Sequence, residues 1–371
     1  MTHPCSPLIR GLHQTLATLD NSGHAVRVTI ASEPQSDLLT ALGWTSFYLD
    51  QLSDDDAGLV PMRVATVHRS RMTATTGTDS ARLVLGHNVR TTDFAVGDWV
   101  LVEPDTLLLV RRLDRHSLLQ RRTEGGRDHQ LIAANVDTLF IVTSCNDDFN
   151  PARLERYLAL SNEAGTTPVI VLTKADQTTE IDRYRTEAAA IQRDLSVITV
   201  NGKSPDAAKV LAPWCGAGQT VALIGSSGVG KSTLLNTLAD KAPDEAQATG
   251  GIRESDAKGR HTTTSRSLHA IEGGGWVIDT PGMRTLHVSD LSVGLDVLFA
   301  EIVEQADNCR FRNCTHAHEP GCAVQAAVAR GEIDAARLDR WHKLQDENRT
   351  NTPVQTGPRG KKVTKPSGRR R

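Results

Sequence analysis

Aromatic side chains are scarce in this 371-residue chain: five Trp, three Tyr and six Phe make up 4% of it. Few rings are therefore available as base-stacking platforms. Cysteine is rare too, at six residues, and Cys5, Cys145 and Cys215 are scattered. With no secretory leader, that usage argues against a disulfide scaffold and for a reducing, cytoplasmic compartment. No apolar run approaches the roughly 18 residues that a membrane helix requires, so no membrane partner is expected. Charge of one sign is absent overall, since the net charge is only −2. That balance conceals a split. Residues 358–371 hold seven basic and no acidic residues, which leaves the rest of the chain at about −9. A chain of this length is expected to form two or three domains.

The sequence does contain Gly225-Ser226-Ser227-Gly228-Val229-Gly230-Lys231-Ser232, placed after the apolar run 220–224 and before the leucine-bearing stretch 234–238. Strand, glycine loop and helix in that order read as a phosphate-binding loop. Glycines let successive backbone N–H groups converge on phosphate oxygens, and the helix N-terminus adds a favourable dipole. Lys231 reaches the outer phosphates, and the Ser232 hydroxyl, with Thr233 beside it, is placed for Mg2+.

Downstream, Trp276-Val277-Ile278 reads as a short strand that delivers Asp279-Thr280-Pro281-Gly282 to the carboxyl end of the sheet. Asp279 can hold Mg2+ through a water, and Gly282 can present its N–H to a γ-phosphate. Between loop and strand, residues 250–266 show neither helical nor strand period and include His261, Thr262, Thr263 and Thr264. The segment reads as a switch whose threonine closes over Mg2+ and the γ-phosphate, with Thr262 and Thr263 equally placed. A solvated surface loop is the plain alternative. Where a water-orienting Gln is often found after the switch glycine, this chain has Met283, so slow intrinsic hydrolysis is expected. His261 is the nearby side chain with a hydrogen-bonding tip suited to that water, unless it is a surface or RNA-contacting histidine.

The base-reading signature comes first in the chain. The buried-strand run 168–172 leads into Thr173-Lys174-Ala175-Asp176. Asp176 can accept both the ring N–H and the exocyclic amine of guanine, a donor pair that adenine lacks, and Lys174 can lay its stem along the base. Thr173 stands where Asn is commoner, which alters one hydrogen bond to the loop scaffold. The loop that backs the guanine carbonyl is assigned only loosely, to Asn201-Gly202-Lys203.

Toward the C-terminus, Cys309, Cys314, His316 and Cys322 are spaced C-x4-C-x-H-x5-C. Three thiolates and an imidazole suit one closed, structural Zn2+ site, with His318 as the alternative imidazole. Val324, Ala327, Val328, Leu338, Trp341 and Leu344 recur at helical steps around a break at Gly331. The basic tail has the composition of a disordered arm whose partner is an anionic polymer, or which serves solubility alone. Before the nucleotide motifs, short strands at 63–67, 82–85, 99–102 and 107–110 suggest a small barrel, either SH3-like or an OB-fold by spacing. Arg69, Arg71, Arg111, Arg112 and Arg115 are its candidate RNA contacts.

The order TKAD, GSSGVGKS, GRHTTT, DTPG, together with residues 130–137 and the cysteine cluster, resembles the circularly permuted GTPases of the small-subunit-dependent RsgA or YjeQ type. The likeness spans roughly residues 60–345. It implies an OB-fold and a monomeric GTPase that binds the small ribosomal subunit and its rRNA and times a late maturation step by hydrolysing GTP. The alternative function is a zinc-containing RNA-binding protein in which GTP is mainly structural. The expected architecture is multidomain α/β: an N-terminal extension (1–57), a barrel (58–120), a permuted GTPase domain (121–290), a zinc-binding helical module (291–350) and a basic tail (351–371). Residues 1–57 offer no motif that translates into chemistry.

Overall fold

The computed structural model describes residues 14–19, 25–30, 34–122, 129–204, 206–239, 266–271, 273–280 and 288–352. Strands β1 (Gln14–Leu19) and β2 (Ala25–Ile30) form an antiparallel ribbon. Helices α1 (Pro34–Ala41) and α2 (Ser46–Leu49) follow. Around them Leu39, Leu42, Trp44 and Tyr48 pack on Trp99, Leu101 and Leu113, with Trp44 edge-on to Trp99 at 4.8 Å between ring centroids. Residues 39–48, which carry no chemical motif, are thus a packing element that uses Trp44 and Tyr48, while Phe47 stays exposed.

Five strands build the barrel: β3 (Val60–Val67), β4 (Met72–Thr75), β5 (Ser80–Arg82), β6 (Trp99–Val102) and β7 (Leu109–Arg112). Strand β3 pairs antiparallel with β4 and β6, β4 with β5, and β6 with β7. A parallel bridge from Val84 to Leu108 closes the circuit. That closure is the OB-fold, and it decides between the two barrels that strand spacing left open. The last strand begins two residues later than the apolar run suggests, because Leu107 takes φ 56° in the preceding turn.

A ribbon of β8 (Leu118–Arg122) and β9 (His129–Ala134) leads into the second sheet. In chain order the sheet and its helices are β10 (Thr138–Ser144), α3 (Pro151–Ala164), β11 (Thr167–Thr173), α4 (Ile181–Ala189), β12 (Ser196–Thr199), α5 (Asp206–Leu211), β13 (Thr220–Gly225), α6 (Lys231–Leu238), β14 (Ser267–Ala270) and β15 (Trp276–Asp279). In space the order is β12-β11-β10-β13-β15-β14, with only β14 antiparallel to its neighbour. Every residue of β10 and β13 is buried, as expected for central parallel strands covered on both faces. Helix α3 starts where the Asn150 side chain accepts the Arg153 N–H and Pro151 fixes the first turn, and it stops at left-handed Gly165.

Helices α7 (Ser292–Leu298), α8 (Ala300–Ala306), α9 (Ala323–Ala329) and α10 (Ala335–Asn351) form the C-terminal module. The expected helical stretch does break at Gly331, whose φ is 75°. Its stripe packs inward, since Val324, Ala327, Leu338 and Leu344 join the core shared with the sheet and α3. No helix among the described residues is long and apolar enough to cross a membrane.

Barrel and sheet meet at a buried guanidinium. Arg63 on β3 donates to the carbonyls of Leu42 (2.6 Å), Asn135 (2.9 Å) and Gly97 (3.3 Å), and lies over the Trp99 ring. These carbonyls belong to the N-terminal segment, the linker into β10 and a barrel loop. Burial presses its pKa downward, and among the described residues no carboxylate pairs with it. Removing the side chain strands the Leu42 and Asn135 carbonyls, while that of Gly97 keeps the Asn135 side-chain amide at 3.0 Å. Arg63→Ala is expected to lose about 3 kcal/mol of stability in urea unfolding. A loss below about 1 kcal/mol would mean that water replaces the guanidinium.

Candidate functional site

The phosphate loop hangs from the carboxyl end of β13. Gly225 has φ 147°, and a Cβ there would lie 2.1 Å from the Val142 carbonyl oxygen, so only glycine fits beside β10. Gly230, at φ 98°, turns the chain into α6, which places Lys231, Ser232 and Thr233 in the first helical turn. The Lys231 ammonium folds back on its own loop, donating to the carbonyls of Gly225 (2.8 Å) and Ser226. Those carbonyls stand in for the phosphate oxygens that a P-loop lysine reaches.

Asp279 ends β15, next to β13 in a parallel register that sets Ala222 opposite Ile278. The following Thr280 is buried and donates to the Leu223 carbonyl, stitching the two strand ends together. The candidate Mg2+ carboxylate and the phosphate loop therefore share one sheet edge. Gly282, His261, Thr262 and Thr263 lie outside the described residues, as does Met283.

The base motif emerges two strands away, at the end of β11. The Thr173 hydroxyl is buried and lies 2.6 Å from the Val229 carbonyl of the phosphate loop and 3.1 Å from that of Thr143. With one proton to donate, it serves one carbonyl at a time, yet it reaches the loop scaffold from the position where Asn is commoner. Lys174 takes φ 56°, a left-handed conformation that a non-glycine residue holds only where its surroundings enforce it. Its ammonium sits 4.0 Å from an Asp148 carboxylate oxygen. Ala175 and Asp176 lie in the short turn Ala175–Gln177, with Asp176 exposed. The loosely assigned loop Asn201-Gly202-Lys203 follows β12 and packs against α6, where Thr237 donates to the Gly202 carbonyl at 3.1 Å. It thus joins the same edge, although its sequence carries no strong motif.

Helix α3 reaches the phosphate loop with residues that no sequence motif marks. Arg153 donates to the Ser226 hydroxyl, and the Tyr157 hydroxyl, one turn on, also bonds Ser226. Burial pushes the Tyr157 pKa up. The available signal was the Asn-Pro helix start, which sets the first turn of α3 at the sheet's carboxyl edge. Two of the barrel arginines are engaged otherwise than expected. Arg111 makes a two-pronged contact with Asp56 (2.8 and 2.6 Å), and Arg115 does so with Asp98 (2.6 and 2.7 Å). Arg69 and Arg71 remain exposed, and Arg112 is half-buried.

Cys309, Cys314, His316 and Cys322 converge, with all four ligand atoms within 4.8 Å of one another. The His316 Nδ1 is 3.5 Å from the sulfurs of both Cys309 and Cys322, which are 3.9 Å apart. A tetrahedral Zn2+ with bonds of about 2.3 Å to sulfur needs sulfur separations of roughly 3.8 Å, so the donor set fits such an ion. His318 is exposed and outside the group. Backbone N–H groups of Ala323 and Gln325 point at the sulfurs of Cys309 and Cys322, the outer hydrogen bonding that thiolate ligands need. Glu319 staples the loop by accepting from the backbone N–H of Thr315, Ala317 and His318. The Thr315 hydroxyl, which donates to it as well, and the Thr315 backbone N–H hold its carboxyl well below the usual range.

The chain also matches known proteins. The family model described as RsgA GTPase covers residues 112–289. A protein of Mesorhizobium japonicum named small ribosomal subunit biogenesis GTPase RsgA is 63% identical over 93% of this chain and 99% of its own length. One of Vibrio parahaemolyticus, named small ribosomal subunit biogenesis GTPase RsgA 2, is 45% identical over 89% of this chain and 91% of its own. Among solved structures, YjeQ from Thermotoga maritima is similar with a TM-score of 0.57 at 25% identity, covering 78% of this chain and 98% of that one. The permuted GTPase YloQ shares the fold with a TM-score of 0.56 at 22% identity, covering 82% and 100%. Motif order, sheet topology and these likenesses agree: the chain belongs to the RsgA GTPase family.

Proposed function

We propose that this GTPase uses its nucleotide state to time binding to, and release from, the small ribosomal subunit and its rRNA at a late step of subunit maturation, in the cytoplasm and as a monomer. One observation carries the nucleotide part. Motifs lying in rotated order along the chain, at 173–176, 225–233 and 279, all fall on the carboxyl edge of one parallel sheet. The ribosomal part rests on the names of the relatives.

In this reading Asp176 accepts from the guanine ring N–H and amine, and Lys174 lines the base. The amides of residues 225–233 and the Lys231 ammonium receive the phosphates. Ser232 and Asp279, with Thr262 or Thr263, would hold Mg2+, which supplies charge neutralisation at the phosphates when bound. Gly282 offers its N–H to the γ-phosphate, and His261 orients the attacking water. Cys309, Cys314, His316 and Cys322 would hold one Zn2+, whose role is to fold the module. The proposed units are those set out from the sequence, with the barrel at 58–120 and the GTPase domain at 121–290.

Three outcomes check this. Asp176→Asn should weaken GTP binding and shift preference toward xanthosine triphosphate, because an amide donates where xanthine carries a carbonyl; an unchanged GTP affinity removes Asp176 from the base site. Cys314→Ser should lower zinc content by elemental analysis and destabilise the C-terminal module while sparing nucleotide affinity. One zinc per chain in that variant, as in the parent, would show the ligand set to be wrong. GTP hydrolysis should be slow alone and rise with purified small subunits, and His261→Ala should lose at least about tenfold of the stimulated rate while still binding GTP and subunits. Equal rates with and without subunits would favour a structural nucleotide instead.

A further inference from the structure

Ser226 is held from both ends. Its carbonyl accepts the Lys231 ammonium, and its hydroxyl takes the Arg153 guanidinium and bonds the Tyr157 hydroxyl. On the far side of Gly228, the loop is tied again where the Thr173 hydroxyl meets the Val229 carbonyl at 2.6 Å. Between and around these ties lie Gly225, Gly228 and Gly230, all with positive φ, so the loop has little stiffness of its own. The Lys231 tie is the one that must break. To reach a phosphate, the ammonium has to leave the carbonyls of Gly225 and Ser226, and the side-chain ties from outside then hold the loop between its strand and helix ends.

The other charged residues in this stretch of α3 have ionic partners. The Glu155 carboxylate, buried, accepts from Arg337 (3.2 Å) and Arg340 (2.7 Å) of α10, and Arg156 pairs with Glu347 at 2.7 Å. These contacts seat the helix firmly. Arg153 differs: among the described residues it makes no ion pair, and its guanidinium, half-buried, rests on the neutral hydroxyl of Ser226. A half-buried guanidinium that no carboxylate draws away is available to the loop hydroxyl it touches.

We propose that Arg153 is a positioning residue for the nucleotide: gripping Ser226 from α3, it keeps the phosphate loop in its receiving shape as Lys231 turns from the loop carbonyls to the phosphates. The inference rests on the nucleotide site set out above. Arg153 acts through Ser226, so the two residues form one functional unit, supported on a helix that the C-terminal module holds in place.

The test is a double-mutant cycle on the full chain, with affinities for fluorescent GDP and a non-hydrolysable GTP analogue read by titration. Arg153→Ala and Ser226→Ala should each weaken both nucleotides about tenfold, the scale of one charge-assisted hydrogen bond. The double variant should be no weaker than either single one. Arg153→Lys, which keeps a charged donor, should recover most of the loss, whereas a merely structural role would not be rescued while melting temperatures stay the same. Losses that multiply, no rescue by Lys, or affinities within about twofold of the parent in both single variants would overturn the proposal. Should Arg153→Ala fail to fold, Ser226→Ala, which deletes one hydroxyl, decides the matter alone. A parent that binds neither nucleotide would sink the nucleotide-site reading itself, a result distinct from a parent that binds and variants that bind equally well.

Discussion

The hydrogen-bonded register of β13 between β10 and β15 is the constraint on which the nucleotide edge depends. It sets Gly225 opposite Val142 on one side and Ala222 opposite Ile278 on the other. A slip of one residue would exchange the faces of every side chain in β13 and move the phosphate loop relative to both neighbours. Gly225 guards that register, because a Cβ would collide with the Val142 carbonyl and force β10 and β13 apart. The chemistry needs the same closeness that forbids the side chain. Strand ends that nearly touch let Thr173 reach the Val229 carbonyl and Thr280 reach that of Leu223.

Opposed charges join α3 to α10, but where the barrel, the N-terminal helices and the linker meet, a buried charge faces backbone instead. The three carbonyls on Arg63 come from segments that share no secondary structure, so the guanidinium fixes the mutual placement of the barrel, the N-terminal helices and the linker into β10. Trp276 repeats the device on a smaller scale by donating its indole N–H to the Ala41 carbonyl at 2.8 Å. Directional bonds of this kind specify geometry more sharply than apolar contact does. The seam nonetheless has an apolar base, in Trp44, Tyr48, Trp99 and Leu113.

What could be read from the sequence was what short-range spacing encodes. The phosphate loop, the TKAD turn, the four-ligand cluster and the helix break at Gly331 each follow from residues within about a dozen positions of one another. The rest depends on partners far away in the chain. Arg153 meets Ser226 across 73 positions, Arg111 meets Asp56 across 55, and Arg63 meets Asn135 across 72. No periodicity announces such meetings, and an arginine destined for a carbonyl looks the same as one free to meet RNA. The choice of OB-fold was hidden for a related reason, because it turns on the single bridge between Val84 and Leu108 rather than on the strands themselves.

Rotating the motif order leaves the sheet intact but changes what is attached to it, and where. In the ladder that joins the two sheets, Ser267 pairs with Asp279 on one side and with Thr66 of the barrel on the other. The barrel therefore touches the sheet at the row that ends in the candidate Mg2+ carboxylate, one strand away from it. The C-terminal module follows the same strand in sequence, and its α10 holds the residue 288 backbone through Glu347, which also grips Arg156 of α3. Both accessory units thus bear on the stretch that begins at Asp279, the barrel laterally through hydrogen bonds and the module through the covalent chain. Under the proposed function, a change at the γ-phosphate side would begin beside strand pairs that lead to the barrel and a chain that leads to the module.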